Sequence, residues 1–357
     1  MTARSVQPAD AHRHDLSALP LRRVGIVMLS AVGDAVHVLP VVNALKRAHP
    51  SVRISWVMQP GPAALVAGHP AVDEIIPFER RRGWRGFMDV RRALRVREFD
   101  LVLALQDYFK AGLIATFAHT GVTLGLDRGR ARDLTWLLTS HHVPPHSPQH
   151  VQDEYLEFLA PLGIPAEPLE WHLGPWPDER AWQAQFTSAI DRPIAALVVG
   201  SSRPEKDWLA ERWAALADAL YVDYGLQPVL VGGRSPREAA TERTVLHRSG
   251  AHARSALDSG LRRLVSILDA SALVISLDTG PLHMAVALGR PVISLLGYSN
   301  PMRTGPYHAY HDLMVNAYGG MWNGATLATD RRPGRMARIE VQGVIERVDR
   351  WHQRYRE

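Results

Sequence analysis

The chain has 357 residues, 46% hydrophobic and 22% charged, with a net charge of +5 and no cysteine. This balance describes a folded protein with room for two domains. The absence of thiols excludes disulfides, cysteine-held metals and a cysteine nucleophile, and suits a reducing cytoplasm. No uninterrupted apolar run approaches the ~18 residues of a spanning helix.

Residues 1–21 open polar, without an apolar signal core, and read as a flexible extension. Short apolar runs then alternate with helical patterns, the mark of βαβ units and parallel sheets. The first series predicts strands at Val24–Leu29, Ile54–Met58, Glu74–Phe78 and Leu101–Leu105. After the first strand comes Ser30-Ala31-Val32-Gly33-Asp34. Gly33 permits a tight backbone approach, and Asp34 opens the next helix. Pro40 is tolerable there if that helix begins only near Val36 or His37. Asp34 could act as a general base at the end of a strand, although aspartate is also among the best helix caps.

Glu79–Arg97 holds eight arginines against Glu79 and Asp89. It reads either as a solvated helix face or as a surface that grips phosphates, and the interleaved Trp84, Phe87 and Met88 favour contact. No nucleic-acid motif accompanies it, so nucleic acid is not expected as a partner. His141, His142, His146 and His150 resemble a metal cluster in composition only. Prolines interrupt them, and no carboxylate falls at zincin spacing.

The Pro- and Trp-rich segment Pro161–Pro177 places a domain boundary, giving domains at 22–175 and 176–335, with a terminal helix at 336–357. A second strand series follows at Ile194–Val199, Pro228–Val231, Leu273–Leu277 and Pro291–Leu296, with helices at Glu211–Tyr221 and Leu261–Ala270. In the last segment Val341, Val344, Ile345, Val348, Trp351 and Tyr355 share one helical face. That stripe must be buried, either on its own domain or across on the first.

The second domain's loops suit an anionic group. Ser201-Ser202-Arg203 through Lys206 follows one strand, and Gly232-Gly233-Arg234-Ser235 follows the next. Asp278-Thr279-Gly280 breaks a buried run, and Pro281 stands at the expected first helical position. Such a turn aims backbone N–H groups and the positive end of a helix dipole at a phosphate or diphosphate, and His283 falls in the first turn. The same turn would also serve any βαβ unit as a plain cap. Walker, GxGxxG and GxSxG patterns are missing, which disfavours a P-loop enzyme, a nicotinamide dehydrogenase and a serine hydrolase.

Together these segments carry a resemblance. Ile26 through Pro40 resembles the opening motif of glycosyltransferase family 9, the ADP-heptose:lipopolysaccharide heptosyltransferases, and is nearest to its type I members. Ser201-Ser202-Arg203 to Trp208 and Asp278 to His283 match the family's two further hallmark segments in the same order, and the likeness runs from about Arg22 onward. It implies an α/β, GT-B fold: two Rossmann-like, doubly wound domains facing a central cleft, with the terminal helix either on its own domain or crossing back to the first. The implied activity is an inverting, metal-independent transfer of heptose from ADP-heptose to a Kdo- or heptose-bearing lipopolysaccharide inner core, with no cofactor.

On this sequence, the resemblance makes Asp34 the catalytic base. Ser201, Ser202, Lys206, Glu238, Asp278, Thr279, Gly280 and His283 become donor contacts, and Arg81, Arg82, Arg85, Gln106, Lys110 and Arg132, with Trp84, acceptor contacts. The expected setting is a cytoplasmic monomer at the inner face of the inner membrane, meeting a lipid-linked phosphorylated acceptor and an anionic leaflet. Two departures stand out: Met28 replaces a family lysine, and Gly297–Tyr307 differs from the enteric enzymes. The alternatives are a family 9 transferase with another donor or acceptor, a GT-B nucleotide-sugar 2-epimerase, and a non-catalytic phosphate-binding module.

Overall fold

The computed structural model describes residues 15–249 and 252–356. They divide into two units: the residues up to Ser147 with Val151–His172, and Pro148–His150 with Leu173 onward. The first unit runs β1 (Arg23–Val27), α1 (Val32–Ala48), β2 (Arg53–Met58), α2 (Pro60–Val66), β3 (Glu74–Pro77), α3 (Trp84–Arg95), β4 (Leu101–Ala104), α4 (Phe109–Ala115), β5 (Thr123–Gly125), β6 (His141–His142) and α5 (Val151–Leu156). Its sheet is parallel, in the order β3-β2-β1-β4-β5-β6. The central strands β1, β2 and β4 are largely apolar, as fits a parallel sheet covered on both faces; Val27, Val57, Ile76 and Val102 share one buried cluster with Val90, Leu94 and Ile114.

The second unit runs α6 (Pro177–Ser188), β7 (Ile194–Val198), α7 (Ala210–Val222), β8 (Gln227–Val231), α8 (Pro236–Ser249), β9 (Arg254–Ser255), α9 (Leu261–Asp269), β10 (Ser271–Leu277), α10 (Gly280–Ala287), β11 (Val292–Leu296), α11 (Pro301–Thr304), β12 (Val315–Asn316), the hairpin β13 (Trp322–Asn323) and β14 (Thr326–Leu327), and α12 (Val341–Arg354). Its parallel sheet has the order β12-β11-β10-β7-β8-β9. Counted from its own first strand, this is the same 3-2-1-4-5-6 winding as the first unit.

All eight predicted strands form within two residues of their expected bounds. Strand β5, next to the edge, and the edge strands β6, β9 and β12 have no counterpart among the expected elements. Each is two or three residues long and offers no apolar run.

Three other expectations change or are narrowed. Helix α1 begins at Val32, so Pro40 lies inside it. Every residue from Ala35 to Leu45 is buried, and that apolar burial outweighs the ~3 kcal/mol an interior proline costs. Of the two placements open to helix α12, the stripe takes the one on its own domain: Val344, Val348 and Trp351 are buried with Trp213, Leu216 and Leu220 of α7 in the second unit's own core. The expected N-terminal extension falls largely on residues 1–14, outside the described residues. Within 15–21, Leu16 donates its N–H to Pro161 O at 2.7 Å and Leu21 is buried, so this part packs on the first unit.

Candidate active site

In open sheets of this winding, ligands sit beyond the carboxyl ends of the strands, where the strand order reverses. In the first unit that point lies between β1 and β4, and in the second between β7 and β10. The loops after these four strands carry most of the residues singled out from the sequence.

After β1, Ala31 is the N-cap of α1 and Asp34 stands three residues on. Asp34 is therefore not the cap itself. It reaches back from the first turn so that Oδ2 accepts the Ala31 N–H at 2.7 Å, the carboxylate half of a capping box. The Tyr155 hydroxyl of α5 donates to Oδ1 at 3.2 Å. Burial and the neighbouring Asp34 carboxylate hold the Tyr155 phenol well above its ordinary value, so it stays protonated. Sequence spacing gave no access to this contact, since the partners lie 121 positions apart.

After β4, Gln106 is buried against the loop that follows β1. Its Oε1 accepts the Leu29 N–H at 3.0 Å and its amide donates to Ser30 O. Both ends of the side chain are engaged with the backbone that leads to Asp34, so Gln106 braces that loop. Arg132 is brought to the same loop by a 2.9 Å ion pair with Asp107, and Lys110 is exposed in the first turn of α4. Met28 is buried and its carbonyl accepts from Trp56 Nε1, so no cation stands at that position.

Arg81, Arg82 and Arg85 form a separate group after edge strand β3. Arg80–Arg82 make a single 3₁₀ turn, Gly83 turns the chain at φ 57°, and α3 begins at Trp84. Arg82 pairs with Asp89 at 2.6 Å, Arg85 lies over the Trp84 ring, and Trp84 itself is 70% exposed. Gly86 allows α3 to approach the preceding turn, because a Cβ there would sit 2.5 Å from Glu79 O.

In the second unit, Lys206 and Asp278 meet across the β7/β10 switch point. Lys206 Nζ lies 2.7 Å from Asp278 Oδ2 and donates to Asp278 O at 3.0 Å. The side-chain contact is an ion pair without the direction of a good hydrogen bond, since Oδ2 has no hydrogen-bonded partner. The Tyr298 ring, with its centroid 5.9 Å from Nζ, adds a cation–π neighbour that sequence reading missed. Thr279 is the N-cap of α10, Gly280 its first residue and Pro281 its second, one later than expected. The first turn holds no acidic residue, and His283 is buried within it.

Around this pair the loops are braced. Ser201 Oγ donates to Asp207 Oδ1 at 2.7 Å and to Arg203 O, while Arg237 binds Asp207 and Ser201 O. Burial pushes the Asp207 carboxyl up against these contacts. Ser202 is exposed beside them. Glu238 accepts the Gly233 and Ser235 N–H groups at 2.8 and 2.9 Å, so it organises the Gly232–Ser235 turn. Gly200 makes this possible: a Cβ there would lie 2.1 Å from Glu238 Cγ.

The histidines do not form a metal cluster. His141 bonds Ser140, His142 bonds Trp136 O, His146 bonds Ser147 O, and His150 bonds Gly305 O. Among the described residues no group of three His, Asp or Glu could hold a metal ion.

Comparison with known proteins identifies the family of the chain. The family description Glycosyltransferase family 9 (heptosyltransferase) matches residues 87–323. The lipopolysaccharide core heptosyltransferase OpsX of Haemophilus influenzae is 30% identical over 297 residues, covering 82% of this chain and 84% of that one. Lipopolysaccharide heptosyltransferase 1 of Escherichia coli K12 is 27% identical over 300 residues, covering 80% and 91%. The solved E. coli heptosyltransferase WaaC with ADP superposes with a TM-score of 0.70 at 25% identity, over 93% of this chain and 99% of that chain. The two Rossmann-like units are therefore those of a GT-B enzyme, and the chain belongs to glycosyltransferase family 9, the heptosyltransferases.

Proposed function

We propose that this enzyme transfers a heptose from ADP-heptose to a hydroxyl of the lipopolysaccharide inner core, on Kdo or heptose, with inversion and without a metal. The observation that carries this reading is the second unit's switch point. There a half-buried lysine paired with a buried aspartate and a helix first turn without acidic side chains provide for a diphosphate. The relatives' names support the sugar and the acceptor, and the ADP of the solved relative supports the nucleotide.

In the proposed reaction the acceptor oxygen attacks the anomeric carbon as the bond from that carbon to the β-phosphate oxygen breaks. Asp34 takes the hydroxyl proton. ADP leaves with the bonding pair, its charge met by Lys206, the Thr279 and Gly280 amides and the α10 dipole. Ser201, Ser202 and His283 complete the donor contacts, with Glu238 shaping the turn beside them. Lys110 and Arg132 would face the acceptor near Asp34.

Arg81, Arg82 and Arg85, with exposed Trp84, suit the phosphates of a lipid-linked acceptor and an anionic leaflet. Peripheral attachment from the cytoplasmic side, as a monomer, is part of the same proposal. No helix of the described residues is long and apolar enough to cross a membrane.

The test is thermal stabilisation by ADP-, UDP- and GDP-sugars, because a ligand that binds the folded state raises the melting temperature according to its concentration over Kd. Stabilisation by ADP-heptose alone is expected; selective stabilisation by a UDP- or GDP-sugar would reject the donor. Binding to anionic vesicles should weaken as salt rises and fall further in R81A/R82A/R85A. Binding indifferent to salt would reject the surface.

A further inference from the structure

We infer that Tyr155 is a positioning residue for Asp34, holding and tuning the carboxylate through its hydroxyl; this rests on the reading of Asp34 as the base. The geometry is a matched pair of helical faces within the first unit. On α1, Asp34 and His37 are three residues apart, and on α5 so are Gln152 and Tyr155, so each pair shares a face. Both pairs meet. Tyr155 OH donates to Asp34 Oδ1 at 3.2 Å, and His37 Nδ1 lies 2.9 Å from Gln152 Oε1.

The second contact fixes the register of the first. Gln152 Nε2 donates to His37 O at 2.7 Å. That carbonyl can only accept, so it sets the amide orientation, leaves Oε1 facing the ring and assigns the proton to Nδ1. His37 and Gln152 are both buried, at 4% and 0% exposure. A short helix pinned at this point has little freedom to withdraw the tyrosine one turn later, and the His37 ring stacks 6.4 Å from that of Tyr155.

With Oδ2 on the Ala31 amide and Oδ1 on Tyr155, the carboxylate plane is set by two donors from different elements. A general base needs that orientation before its substrate arrives. The charges acting on the phenol are Asp34, Glu154 of α5 and Asp107 after β4, all anionic, and Arg132 partly neutralises Asp107. The hydroxyl therefore remains a donor across the working range. Donation to the ionised form favours that form, so removing it makes Asp34 hold its proton more tightly.

The experiment compares Tyr155→Phe, Asp34→Asn and an enzyme carrying 3-fluorotyrosine at position 155, each by kcat against pH and by the Kd for ADP-heptose. Phenylalanine keeps the ring packing and removes only the donor. Its kcat should fall roughly tenfold, as for a lost hydrogen bond to a charged group, with the acidic limb displaced to higher pH and donor Kd unchanged. The more acidic fluorophenol is a stronger donor and should move the limb to lower pH; it also carries the test if the phenylalanine variant does not fold.

A Tyr155→Phe enzyme with unaltered kcat and limb, while Asp34→Asn is inert, would overturn the inference and leave the base in place. So would a lower kcat with an unmoved limb, which marks a merely structural role. Full turnover by Asp34→Asn would overturn the base and, with it, Tyr155.

Discussion

Helices α1 and α10 each follow a strand at the switch point of a parallel sheet, and their first turns are built in opposite ways. In α1 the first turn carries Asp34, whose carboxylate takes the N-cap amide for itself. In α10 the first turn carries no acid, and the nearest carboxylate, Asp278, precedes the helix and is paired with Lys206. A helix N-terminus attracts anions. The first already carries its own carboxylate, whereas the second has no acidic side chain in its first turn. On the proposed reading, one backbone device thus serves a proton acceptor in one unit and an anion cradle in the other.

The largest expected effect tests the first member of this comparison. Asp34→Asn is isosteric and keeps an oxygen that can accept the Ala31 amide, so the helix start should survive while kcat falls by ~10²–10⁴. Donor Kd, read by thermal stabilisation, should be unchanged. Lys206→Ala should show the reverse pattern. It removes the cation and leaves Asp278 without its partner, so donor affinity should drop roughly 10- to 100-fold, the range for hydrogen bonds to charged groups. Titration of ADP would check this, and an unaltered Kd would remove Lys206 from the cradle.

A smaller effect is expected at Gly200, which acts on the cradle without touching it. The added Cβ of Gly200→Ala would stand 2.1 Å from Glu238 Cγ, so the glutamate must leave the Gly233 and Ser235 amides. Overpacking of this kind costs about 1–3 kcal/mol. A lower melting temperature together with weaker ADP binding is expected. A variant with native stability would mean that the Gly232–Ser235 turn adapts freely.

The parts of this architecture that could be read from sequence share a physical cause. The strands β1, β7 and β10 are almost wholly buried, so each is largely apolar and ends at a polar segment, and Asp34, Lys206 and Asp278 stand in the segments so marked. Edge strands such as β6 and β9 need only a few backbone bonds and leave no apolar trace. Pro40 misled because local propensity says nothing about how thoroughly a helix will be buried. Gln106 and Tyr155 were out of reach for another reason. Each acts on the Asp34 loop from a distant stretch of chain, and only the fold brings a lone polar side chain to its partner.

The smallest effect expected separates the two units by their response to acid. In the first, the Arg97 guanidinium binding Glu74 holds that carboxyl below its ordinary 4.5. Asp73 is also lowered: burial would raise it, but the Ile54 amide and Lys46 outweigh burial. In the second unit burial raises Asp207 instead. A depressed carboxylate stabilises the fold fully above its unfolded value, and this contribution is lost as pH falls through the lower folded value. A raised one has the opposite sign: its contribution is present below the unfolded value and lost as pH rises through the folded one. Mild acid should therefore weaken the β2–β3 edge of the first unit before it weakens the β7 loop of the second. Hydrogen exchange between pH 5 and pH 3 can resolve the two, since it reads local opening. Glu74→Gln should flatten the acid dependence at Ser55–Pro77 alone, and an unchanged slope there would show that the Arg97 pair, exposed as it is, contributes nothing to holding that edge.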